Sequence, residues 1–209
     1  MFFLAIMIAV ATGCGGSRPA CRSGNESNAA GAGAGHTYYV SPSGSDADPG
    51  TREAPWATPG YASRRLSPGD TLVIMGGRYA LREYDADIIM PPPGTPEAWI
   101  TIRGEDGNRP VLAGSDDLLA AVDISGAAYL RLENLEITSD GGAPFRTGIT
   151  GTAGPARHVI LAGLYIHHLD EMGMDLADVE DLQVLDCTMT HCGFGGMGGP
   201  GGESGWRDV

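Results

Sequence analysis

Two short stretches of the chain carry side chains able to do chemistry. The first is Asp170-Glu171-Met172-Gly173-Met174-Asp175, where three carboxylates crowd one segment. Hard oxygen ligands clustered on a loop between strands suit Ca2+, so Asp170, Glu171 and Asp175 are candidate metal ligands. The same composition also serves as a solvated acidic turn. The second stretch is the histidine set His167, His168 and His191. Imidazole titrates near neutrality and acts as base, acid or metal ligand. His168 and His191 are the candidate catalytic residues, and histidines at strand ends also cap backbone carbonyls. The chain has no lysine, so no mechanism that needs a lysine base runs from it.

These residues need elements to position them, and the chain supplies repeats. Segments Tyr129 to Thr138, His158 to His167 and Asp181 to Thr190 align without gaps, starting 29 (158 − 129) and 23 (181 − 158) residues apart. Apolar residues recur at Leu130/Val159/Leu182, Leu132/Leu161/Val184, Leu135/Leu164/Cys187 and Ile137/Ile166/Met189. Alternation with period two, broken by one skipped position, describes two short strands joined by a bend. Asn134, Gly163 and Asp186 occupy the bend, and all tolerate left-handed backbone. A third strand recurs as Thr147 to Thr150 and Met172 to Leu176. Three strands per repeat, stacked in register, predict an all-β right-handed parallel β-helix, a solenoid. A β-sandwich is the runner-up, but it leaves the superposition of the repeats unexplained. Asp70 to Met75, Trp99 to Arg103 and Ala121 to Ser125 supply earlier turns. Ala57 to Leu66 reads as a short N-terminal helical cap over strand edges that would otherwise recruit other chains. Trp99 and Tyr129 read as packed rings, and Asp123, Asp140, Asp178 and Asp186 as turn residues.

Composition narrows the function classes. Acidic residues number 26 against 13 basic, a net charge of −13, with 33 glycines. Such a surface repels polyanions, so no nucleic-acid partner is expected. Phe2 to Ala11 is an apolar run too short to span a bilayer in a helix, and it reads as a signal segment. Ala11-Thr12-Gly13-Cys14 resembles the lipobox of bacterial lipoproteins, which implies acylation of Cys14; the alternative is an ordinary cleaved signal. Residues 1–14 are thus read as the leader, 15–35 as a flexible Gly/Ala/Ser tether, and 36–209 as the β-helix domain. The expected location is extracytoplasmic, at a bacterial cell surface or outer membrane. A monomer is expected, touching membrane only through its lipid. An oxidising compartment permits a Cys187–Cys192 bridge, while cysteine also serves as a small buried hydrophobe.

The N-terminal part of the domain carries a family resemblance. Tyr38 to Thr51, Ala54-Pro55-Trp56-Ala57-Thr58, Pro68-Gly69-Asp70-Thr71 and Gly76-Gly77-Arg78-Tyr79 look like the start of secreted right-handed β-helix proteins similar to pectate lyases of polysaccharide lyase family 9. The resemblance implies β-elimination on an acidic polysaccharide, with Ca2+ held by aspartates against the uronate carboxylate and a lysine, which this chain lacks, removing the neighbouring proton. Asp170, Glu171 and Asp175 resemble the family's acidic pattern, with Met172 inserted into the spacing. Arginine fills the base role in related lyases, which brings in Arg146 and Arg157.

Two functions follow from different classes. One is a lyase-type enzyme acting on acidic polysaccharide. The other is a non-catalytic surface β-helix for glycan binding or adhesion. Gly205 to Val209 falls where the next strand should start, so the domain is expected to be incomplete at its C-terminus, with later turns carrying part of any active site.

Overall fold

The computed structural model describes residues 35–115, 118–141, 144–199 and 206–209. Cys14, the leader and nearly all of the tether lie outside these residues. Among the described residues no helix is long and apolar enough to cross a membrane.

The chain coils. A first strand, β1 (Thr37–Val40), is followed by a coil of β2 (Thr71–Ile74) and β3 (Arg78–Leu81). Three-strand coils follow as β4 (Ile100–Gly104), β5 (Val111–Gly114) and β6 (Ala120–Asp123), then β7 (Ala128–Glu133), β8 (Glu136–Ser139) and β9 (Thr147–Gly151). Next come β10 (Ala156–Ala162), β11 (Tyr165–Leu169) and β12 (Met172–Leu176), then β13 (Val179–Leu185), β14 (Thr188–Cys192) and β15 (Gly195–Gly198), and finally β16 (Trp206–Arg207). Every pairing between these strands is parallel, in three sheets. Sheet 1 runs β1-β2-β4-β7-β10-β13-β16, sheet 2 runs β3-β5-β8-β11-β14, and sheet 3 runs β6-β9-β12-β15. Trp206 and Arg207 continue sheet 1 beside Val179 and Glu180.

Register explains the core. Leu72, Ile102, Leu132, Leu161 and Val184 stack in one column of sheet 1. Tyr79, Leu112, Ile137, Ile166 and Met189 stack in sheet 2, and Val122, Ile149, Met174 and Met197 in sheet 3. Burying each such aliphatic side chain contributes roughly 1.5–3 kcal/mol. Cover fails in the last full coil, where Val184, Cys187, Met189 and Cys192 are only partly buried and Leu185, Phe194 and Met197 are exposed. Cys187 and Cys192 are free thiols, and burial raises the pKa of both.

Left-handed residues turn the corners. Between sheets 1 and 2 they are Asn134, Gly163 and Asp186 (φ 54°, 61° and 52°), as the bend positions predict. The other two corners also use positive φ, at Tyr129, His158 and Asp181 entering sheet 1 and at His168 and His191 leaving sheet 2, and of these the bulky Tyr129 disfavours it most. Packing offsets the strain. Tyr129 stacks on His158 with centroids 4.5 Å apart, Trp99 meets Tyr129 edge-on, and Nδ1 of His158 lies 2.8 Å from Oδ2 of Asp181.

The expected cap is shorter than its sequence span, being one turn of helix, α1 (Pro59–Ser63). Pro59 opens the turn, where a missing N–H is harmless. Ser63 Oγ donates to Gly60 O and accepts from Met90 N, and Arg64 donates to the carbonyls of Gly60 and Ile88, which ties the cap to the first coil. Asp123 is not a simple turn residue. It ends β6, largely buried, accepting from Tyr84 Oη at 2.7 Å and from Ser125 N at 2.8 Å.

Candidate functional site

The corner from sheet 2 to sheet 3 is tight after β11, where Asp170 and Glu171 alone separate it from β12. One coil earlier, after β8, the connection is longer. Its Phe145 is fully buried and fills the space that a glycine, Gly114, leaves above the neighbouring strand: a Cβ there would sit 2.6 Å from the Phe145 ring. Phe145 N donates to Ser139 Oγ, and Ser139 Oγ donates to the carbonyl of His168. Beside the anchored Phe145 lies a cleft of about 560 Å³, lined by Thr138, Ser139, Gly141, Pro144, His168, Leu169 and His191.

Both candidate catalytic histidines therefore line one cleft. His168 and His191 occupy equivalent left-handed positions on successive coils, and their rings stack with centroids 4.7 Å apart and planes 4° from parallel. His167 points from the outward face of sheet 2, in register with Thr138 and Thr190. Its Nδ1 lies 2.6 Å from Nδ1 of His168 and 3.1 Å from Oγ1 of Thr138, and its Nε2 lies 3.2 Å from Oε1 of Glu136. The Tyr165 ring packs against it at 4.2 Å.

The three carboxylates do not gather around this pair. Asp170 is exposed in the turn, its main-chain nitrogen donating to Phe145 O. Glu171 accepts from both Nε and Nη2 of Arg146, at 3.0 and 2.9 Å. Asp175 belongs to sheet 3, in register with Thr150 and Gly198. None of the three is among the residues lining the cleft. Among the described residues, no three His, Cys, Asp or Glu side chains converge as a metal site. The donor set read from the sequence thus does not form a Ca2+ cage here, and no step of the chemistry below passes through one. Arg157 is engaged by Glu180 at 2.9 Å.

Sequence reasoning missed Glu136, Thr138, Ser139 and Pro144. The gap-free repeat alignment already sets Thr138 over His167; Glu136 reaches His167 diagonally across coils, which a column-by-column reading overlooks.

Comparisons with known proteins agree with this architecture. Lacto-N-biosidase GH136 from Eubacterium ramulus superposes with a TM-score of 0.59 at 23% identity, over 75% of this chain and 34% of that one. Pectate lyase Pel9A superposes with a TM-score of 0.53 at 17% identity, over 73% of this chain and 38% of that one. The uncharacterized protein YwoF of Bacillus subtilis (strain 168) is 34% identical over 82 residues, 39% of this chain and 16% of the relative. The chain spans well under half the length of each. The profile of the Pel9A-like right-handed β-helix region matches residues 38–192, most of the coil described above, and the chain belongs to that family.

Proposed function

We propose that the protein acts on acidic polysaccharide by lyase-type β-elimination, in the cleft that holds His168 and His191. The observation that carries this reading is the composition of the cleft's described lining, which offers two imidazoles and no carboxylate. Imidazole can take and give the protons that elimination moves, and a pectate lyase is among the neighbouring structures. In the proposed step the neutral imidazole of His168 takes the proton from the carbon beside the uronate carboxylate. The electron pair forms the ring double bond, the adjacent C–O bond breaks, and the departing oxygen takes a proton from the imidazolium of His191. An imidazolium beside the carboxylate also offsets the charge that develops there.

The test is absorbance of unsaturated product on polygalacturonate, alginate and other polyuronates, with and without chelator, using the full-length gene product. Product on one of them supports the reading. Binding without product on any favours the non-catalytic glycan-binding or adhesion role instead. We further propose export and anchoring through an acylated Cys14, for which the test is fatty-acid labelling that Cys14→Ser abolishes.

A further inference from the structure

Three side chains lead from the outer face of sheet 2 to the cleft. Glu136 stands on β8, His167 and His168 on β11. A carboxylate only accepts, so the proton in the Glu136–His167 contact belongs to Nε2 of His167. The His167 side chain is 12% exposed, so water competes weakly for that bond. With His167 neutral, its Nδ1 carries a lone pair, and it faces Nδ1 of His168 at 2.6 Å. Two lone pairs would repel at that distance, so the proton between them comes from His168. The Thr138 hydroxyl, at 3.1 Å, is the longer of the two contacts to the same nitrogen. Tyr165 packs against the His167 ring, its plane tilted by 31°.

We infer that Glu136 and His167 are positioning residues that hold His168 as the Nδ1–H tautomer. The basic lone pair of His168 is thereby left on Nε2, the ring nitrogen that His167 does not engage. The inference rests on the lyase reading for its functional meaning, though not for its structural content. A base set in one tautomer needs no proton rearrangement before it reacts, as orienting partners of catalytic and metal-bound histidines illustrate.

The experiment is long-range proton–nitrogen correlation NMR on the full chain with nitrogen-labelled histidine, at about pH 8, where imidazoles are mostly neutral. In the unmodified protein His168 should carry its proton on Nδ1; a proton on Nε2 overturns the inference. Glu136→Ala should convert His168 to a mixture of tautomers and lower kcat roughly 10- to 100-fold with KM little changed. An unaltered His168 tautomer in that variant also overturns it. Should Glu136→Ala misfold, the spectrum of the unmodified chain still decides. A chain that shows the Nδ1–H form yet cleaves no glycan overturns the lyase reading and leaves the positioning role standing.

Discussion

The imidazole rings of His168 and His191 lie face to face, 4.7 Å between centroids, at the same left-handed position of successive coils. Under the proposed mechanism they divide the work of base and acid. His168→Ala should lower product formation by about 10²- to 10⁴-fold, the usual worth of a positioned proton acceptor. His191→Ala should also lower it and should flatten the alkaline limb of the rate profile against pH, the limb that a general acid sets. Steady-state kinetics on whichever polyuronate is cleaved checks both, with circular dichroism to verify that the coil persists.

Burial along the sheet 1 column sets a second expectation. Leu132 is fully buried between Ile102 and Leu161, whereas Val184 at the end of the column is only partly covered. Leu132→Ala should destabilise the domain by about 2–5 kcal/mol, and Val184→Ala by about 1 kcal/mol or less. Denaturant titrations of the two variants measure the difference.

Burial also governs the thiols. It raises the pKa of Cys187 and of Cys192, so less of each is thiolate near neutrality. In a chain carrying Cys14→Ser and Cys21→Ser, both should be alkylated more slowly in the folded state than in denaturant. Two thiols should titrate without prior reduction, as expected of unbridged cysteines.

Acid should weaken the N-terminal coils. The main-chain N–H of Gly76 donates to Glu105 at 3.1 Å, and Arg52 pairs with it at 2.9 Å; together they hold its carboxyl below the usual range. A depressed folded-state pKa means that the stabilisation is present at neutral pH and fades as pH falls through the ordinary carboxylate range to the lower folded value. Glu105→Gln should therefore be less stable than the unmodified chain at about pH 6, and the difference should shrink as pH falls through the ordinary carboxylate range. Unfolding midpoints across that window test the sign.

Much of the coil was legible because inward side chains repeat every second residue, and stacking forces the repeats into register. Asn134, Gly163 and Asp186 announced a corner because their residue types accept positive φ. Tyr129 and His158 gave no such notice: they stack on one another across successive coils, and His158 also meets Asp181 on the coil after it, relations between turns that no local pattern encodes. The histidine pair was legible as a pair, yet the cleft it lines was not. Phe145 lies next to that cleft and fills the space beside Gly114, and a longer connection between strands does not reveal its shape. The acidic cluster misled for a related reason. Residues adjacent in sequence at a corner diverge, so Asp170 faces solvent, Glu171 meets Arg146, and Asp175 moves onto another sheet.

In a solenoid each turn leans only on its neighbours, so the spacing of His168 and His191, on successive coils, is set by the pairing of β11 with β14. His191 rides on the later turn and His168 on the one before it. A glycan gripped by both would act as a clasp across the seam, slowing exchange in the later turn, and the pair would hold its reactive spacing best when the groove is filled.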